Sequence, residues 1–143
     1  MIRQLEHIAL SVADLDRSIA FYRDKLGFTV MRILETRGDA LLGTIVGVPG
    51  ARARIAHLQF GANMLELFEY VEPRGQPIPQ ARRQADHGWI HIGFHSDDVR
   101  SDAARLKQQD VRFVSEPVEF RPGVWLAYFY GPDGEVCELR QSD

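Results

Sequence analysis

The sequence predicts an α+β fold built from two βαβββ modules, a curved mixed sheet with helices on its outer face. Three observations predict it. His7-Ile8-Ala9-Leu10 is echoed by His91-Ile92-Gly93-Phe94, and Met64-Leu65-Glu66-Leu67 by Val136-Cys137-Glu138-Leu139. Each histidine segment also runs through acidic residues into a helical pattern. Internal repetition sets the unit of a fold, so it is read first.

In the first module, a strand from His7 to Val12 puts His7, Ala9 and Ser11 on one face and Ile8, Leu10 and Val12 on the other, because successive side chains alternate. The second set is apolar and should pack on the helix. Asp14 can accept the free N–H groups of the next helix, whose stripe is Leu15, Ile19, Tyr22 and Leu26, and Gly27 can end it. Strands are expected over Thr29 to Thr36 and Ile55 to Phe60. The turn signal Gly61-Ala62-Asn63 then introduces the Glu66 strand.

The stretch Glu72 to His87 carries Pro73, Gly75, Pro77 and Pro79 without a clean period and reads as a linker. The expected organisation is one domain over 1–143, with module one at about 1–72, the linker at about 73–86 and module two at about 87–143. In module two, Asp97 or Asp98 caps a helix with the stripe Val99, Ala103 and Leu106. Strands follow at Phe113 to Phe120, interrupted by Pro117, and at Val124 to Tyr130. Pro132-Asp133-Gly134 turns into the last strand.

Composition bounds the function. At 143 residues, with 45% hydrophobic and 26% charged, the chain is of ordinary globular type. A formal net charge of −3 offers no surplus to neutralise a phosphate backbone, so nucleic acid is not an expected partner. One cysteine, Cys137, excludes an internal disulfide. The N-terminus shows no apolar leader pattern, and no apolar run approaches a membrane span. No membrane partner and a cytoplasmic setting are expected.

Strand parity selects the candidate site. His7, Glu66, His91 and Glu138 each fall on the face opposite their apolar neighbours. A glutamate between apolar strand residues is costly unless exposed or paired. Two glutamates and two histidines in equivalent places favour a shared divalent cation, in a cleft on the inner face. Such a donor set suits Ni, Co, Zn, Mn or Fe alike. Four protein ligands of an octahedral ion would leave two positions for substrate oxygens. His95 shares the parity of His91, and His57 lies on an internal strand whose face is not fixed. His87 reads as surface. Arg52 and Arg54 are candidates for gripping an anion, with solvated charge as the commoner role. Half of the strand containing Trp125, Tyr128, Phe129 and Tyr130 should be core, and Cys137 should be buried and inert.

These residues also carry a resemblance. Glu6 to Val12, followed by Asp14 to Tyr22 and Leu26-Gly27-Phe28, resembles the first module of the vicinal oxygen chelate superfamily. Met64 to Tyr70, Trp89 to Phe94 and Gly131 to Leu139 are similar to its later motifs in the same order. That family includes glyoxalase I, methylmalonyl-CoA epimerase, fosfomycin-modifying enzymes and extradiol dioxygenases. The resemblance implies a homodimer and a metal-dependent lyase or isomerase. Its substrate would be a small molecule, such as a thioester or hemithioacetal, and its metal His7, Glu66, His91 and Glu138 would bind. It is closest in ligand pattern to glyoxalase I and methylmalonyl-CoA epimerase, the epimerase commonly having Gln where Glu66 stands. The chemistry implied is proton transfer beside a metal-bound carbonyl, with Glu138 as ligand and base and Glu66 as its catalytic counterpart. The alternatives are a ring-cleaving dioxygenase of the extradiol type and a non-catalytic binding protein for an antibiotic or metabolite.

Overall fold

The computed structural model describes residues 1–36 and 40–142. Its contacts divide the chain into two compact units, Met1–Pro77 and Ile78–Asp143. The first contains β1 (His7–Ser11), α1 (Leu15–Ala20), which continues as a π-helical turn over Phe21–Lys25, β2 (Thr29–Glu35), α2 (Ala40–Val46), β3 (Arg52–Phe60) and β4 (Asn63–Glu72). The second contains β5 (Ile92–His95), α3 (Val99–Gln108), β6 (Val118–Arg121), β7 (Val124–Tyr130) and β8 (Val136–Gln141).

Each unit has its own mixed sheet, and the two share one topology. The orders are β1-β4-β3-β2 and β5-β8-β7-β6. The first strand of each unit lies parallel to its last, and the remaining neighbours are antiparallel. A parallel neighbour requires a crossover, which the helix supplies. α1 packs on β3 and β4, and α3 on β7 and β8.

The helix-facing sides form the cores. Leu15, Tyr22, Leu58 and Leu67 are fully buried in the first unit, as are Val99, Leu106, Phe129 and Cys137 in the second. Each large apolar side chain so buried contributes about 1.5–3 kcal/mol. β1 is an edge strand, so its apolar face is less covered than expected: Ile8 remains 39% exposed.

The repeat extends to the caps. Asp14 accepts from the Arg17 N–H at 2.9 Å, and Asp98, not Asp97, accepts from Arg100 and Ser101 at 3.1 and 3.0 Å. The first N–H of each helix is held from the last strand of its unit: Leu15 donates to Glu69 and Val99 to Gln141, both at 3.1 Å. Gly27, at φ +85°, ends the first helical segment as expected, with its N–H on the Arg23 carbonyl.

Two elements depart from expectation. The longer middle of the first module contains α2, whose run Ala-Leu-Leu-Gly-Thr-Ile-Val has no polar face to mark a helical period. In the second, Phe113 makes only an isolated bridge to Phe129, and the strand begins at Val118, after Pro117. A proline cannot donate to a ladder, so pairing resumes beyond it. Among the described residues, no helix is long and apolar enough to cross a membrane.

Asp98→Ala should cost about 1 kcal/mol through loss of the cap. Asp97→Ala should stay within about 0.5 kcal/mol of the parent. Denaturant unfolding of the two variants checks this; equal effects would contradict the cap assignment.

Candidate metal centre

Across the first sheet, away from α1, the register aligns one polar row. Ala9 pairs with Glu66, Glu66 with His57, and His57 with Arg32. Arg32 reaches this face because β2 carries a bulge between Val30 and Arg32. A bulge inserts one residue and so reverses the parity beyond it. His7, at the start of β1, opposes Met64. Its Nε2 lies 3.2 Å from Glu66 Oε2, while His57 Nε2 lies 2.8 Å from Glu66 Oε1. The Glu66 side chain is only 15% exposed.

The second sheet repeats the row. Gly93 pairs with Glu138, and Glu138 with Tyr128. His91 sits one residue before β5, and its Nε2 is 3.5 Å from Glu138 Oε2. A side chain at Gly93 would start 3.4 Å from the same oxygen, so glycine leaves the carboxylate room. The His91 ring also meets Tyr128 edge-on at 5.2 Å. Burial holds the Tyr128 phenol above its ordinary value of 10.0, and its hydrogen bond to Glu138 and that group's negative charge add to the shift.

The hydrogen bonds place a proton on Nδ1 of both rings. His91 Nδ1 is 3.0 Å from Gln84 Oε1, and the Gln84 amide nitrogen donates to the Ile90 carbonyl at 3.1 Å. A carbonyl only accepts, so Gln84 presents its oxygen to His91 and Nδ1 is the N–H. His7 Nδ1 lies 3.3 Å from Glu6 Oε2, an acceptor, which gives the same tautomer. In both rings Nε2 therefore faces a carboxylate oxygen. As the N–H of an imidazolium it donates to that oxygen, and as a lone pair it can share a cation with it.

A divalent ion fits that arrangement. Nitrogen and oxygen ligands 2.0–2.2 Å from one ion, at a right or tetrahedral angle, lie roughly 2.8–3.6 Å apart. The observed 3.2 and 3.5 Å fall inside that span. Metal-ligating histidines also characteristically donate their second ring N–H to a carboxylate or another oxygen, as His7 and His91 do here. Among the described residues, no group of three or more His, Cys, Asp or Glu forms a ready-made cage. Each unit contains one such His–Glu pair.

The remaining candidates fall into place. His95 is exposed and lies 3.7 Å from Asp97, and His87 is on the surface. Arg52 pairs with Glu72 at 3.0 Å, and Arg54 with Asp16 and Glu69 at 3.0 and 3.2 Å. These ion pairs occupy the guanidiniums considered for anion binding, and Arg54 holds the Asp16 carboxyl below its ordinary range. Cys137 is buried. Trp125 stacks under Arg100 at 4.6 Å, on the side carrying α3.

Strand parity did not identify His57 and Arg32 as members of the row. A signal for His57 exists: Phe60 pairs with Asn63 across a two-residue turn led by Gly61 at φ +58°, which places His57 opposite Glu66. Two-residue hairpins with a leading glycine are a favoured turn type. Arg32 has no such signal, because the bulge is not marked by glycine or proline.

Because its folded-state pKa is raised, Tyr128 contributes stability that is complete below the ordinary phenol value and lost as pH rises through the shifted one. Alkaline absorbance titration of the metal-free protein should therefore show a late-ionising tyrosine component that is lost in Tyr128→Phe. An unchanged curve would contradict the assignment.

Comparison with known proteins agrees with the architecture. The chain is 33% identical to the 2-epi-5-epi-valiolone epimerase of Actinomyces sp, covering 94% of this chain and 77% of that one. It is 26% identical to human mitochondrial methylmalonyl-CoA epimerase, over 97% and 74%. A glyoxalase family protein from Bacillus cereus superposes with a TM-score of 0.89 at 18% identity, covering 100% and 97%, which speaks for the fold alone. The family model describing the glyoxalase/bleomycin resistance protein/dioxygenase superfamily matches residues 4–139, and the chain belongs to that superfamily.

Proposed function

We propose that this protein is a divalent-metal-dependent isomerase that moves a proton on a carbon beside a carbonyl. One observation carries the reading. In each module an imidazole whose Nδ1 meets an oxygen acceptor sets its Nε2 3.2 or 3.5 Å from a carboxylate oxygen, the spacing of two ligands on one divalent ion. His7, Glu66, His91 and Glu138 would jointly hold one ion, and Ni, Co, Zn, Mn and Fe all suit that donor set. When bound, the ion supplies Lewis-acid stabilisation of negative charge on a substrate oxygen.

The rest of the chemistry belongs to side chains. Glu138 takes the proton from the carbon: the C–H bond breaks, its electron pair enters the enolate, and the proton is then returned elsewhere, on the opposite face or at the neighbouring carbon, which leaves Glu138 a carboxylate again. Tyr128 orients Glu138 by its hydrogen bond and, with its phenol held neutral, remains a donor through the neutral range. Glu66 is the second carboxylate of the catalytic pair. Two relatives that are epimerases support isomerisation over elimination, and the acyl-CoA named for one of them supports a thioester as the substrate class. A cytoplasmic homodimer is the setting this reading assumes.

The test is solvent exchange. Metal-loaded protein in D₂O with 2-substituted acyl thioesters should incorporate deuterium beside the carbonyl, read by mass spectrometry. Glu138→Gln should retain the fold by circular dichroism and lose about 10²–10⁴-fold in exchange rate. Undiminished exchange in that variant contradicts the role of Glu138.

A further inference from the structure

We propose that Arg32 and His57 form a positioning relay that fixes the orientation of Glu66, so that one carboxylate oxygen is held by protein and the other is left to the metal. This rests on the metal reading above and names residues that the ligand pattern does not include.

The relay follows from donor and acceptor chemistry. Arg32 Nε lies 2.9 Å from His57 Nδ1. A guanidinium has only donors, so His57 Nδ1 must accept, and the ring is neutral with its proton on Nε2. That N–H points at Glu66 Oε1, 2.8 Å away. His57 therefore differs from His7 and His91, which carry a proton on Nδ1. Its own Nδ1 accepts and its Nε2 presents a proton, so it is a donor to Glu66 and not a fifth ligand. The two oxygens of Glu66 are divided accordingly: Oε1 takes the His57 N–H, and Oε2 faces His7.

The setting is built for this. His57 is 8% exposed, and the bulge in β2 brings Arg32 across from it. In the second module the equivalent register position holds Tyr128, which bonds Glu138 through its hydroxyl. A hydroxyl rotates about its own bond; an imidazole locked at both nitrogens does not. The relay thus holds Glu66 more rigidly than the phenol holds Glu138. Groups that hydrogen-bond a ligating carboxylate characteristically change metal affinity by about 10–100-fold when removed.

The experiment combines a spectroscopic signature with metal titration. Long-range ¹H–¹⁵N spectra of the metal-free protein should show His57 as the Nε2–H tautomer, with that signature lost or mixed in Arg32→Gln. Titration with Ni(II) should then show an affinity loss of about tenfold or more in His57→Leu. In His57→Gln the amide nitrogen can replace the Nε2 donor, and affinity should recover most of the way. An Nδ1–H tautomer or an imidazolium in the parent protein overturns the relay. So does unchanged Ni(II) affinity in a folded His57→Leu, or failure of His57→Gln to exceed it. A parent that binds Ni(II) while the variants bind it equally well defeats the relay alone. A parent that binds none of the tested metals defeats the metal reading and the relay's purpose with it, even if the tautomer is as assigned.

Discussion

A strand glutamate with apolar neighbours and a low exposure must be compensated, because a carboxylate loses far more by desolvation than a neutral group does. Glu66 and Glu138 are 15% and 13% exposed, and each is compensated in the same two ways. One oxygen-directed donor comes from the neighbouring antiparallel strand, His57 or Tyr128. One imidazole comes from the parallel strand on the other side or the residue just before it. The imidazoles are oriented by Glu6 and Gln84, which meet Nδ1 and turn Nε2 to the glutamate. In the proposed function a cation between Nε2 and the carboxylate completes the compensation.

The duplicated topology makes this arrangement possible twice. Placing the first strand of a module parallel to its last sets histidine and glutamate on adjacent strands, with the helix on the opposite face. The helix is tied to the same strand that carries the glutamate, since Glu69 and Gln141 hold the first N–H of α1 and α3 from positions three residues beyond Glu66 and Glu138. Core packing and site geometry are therefore set by one strand in each unit. A shift of that strand by one residue would move the glutamate to the helix side and the apolar residues to the cleft side.

Much of this was legible in the sequence because it depends on period-two alternation and on repetition. The two His–Glu pairs, the cap Asp14, a second cap at Asp97 or Asp98, the Gly27 stop and the burial of Cys137 all follow from those signals. What was not legible broke the period. The bulge in β2 hid Arg32, the run at Ala40–Val46 without a polar face hid α2, and Pro117 moved the start of β6. His57 was obscured because its face depends on a hairpin register set by the turn at Gly61, and not by its own strand. Arg52 and Arg54 were exposed as options by sequence alone; their carboxylate partners lie far enough along the chain that only the fold pairs them.

The central claim is that one ion is shared by both modules. Elemental analysis of metal-loaded protein, beside Glu66→Ala and His91→Ala, tests it most directly. The account predicts close to one divalent ion per chain, lost in both variants although each removes a ligand from a different module. Two ions per chain, or a stoichiometric ion retained in either variant, would show that the pairs bind separately or not in this way, and would contradict the account.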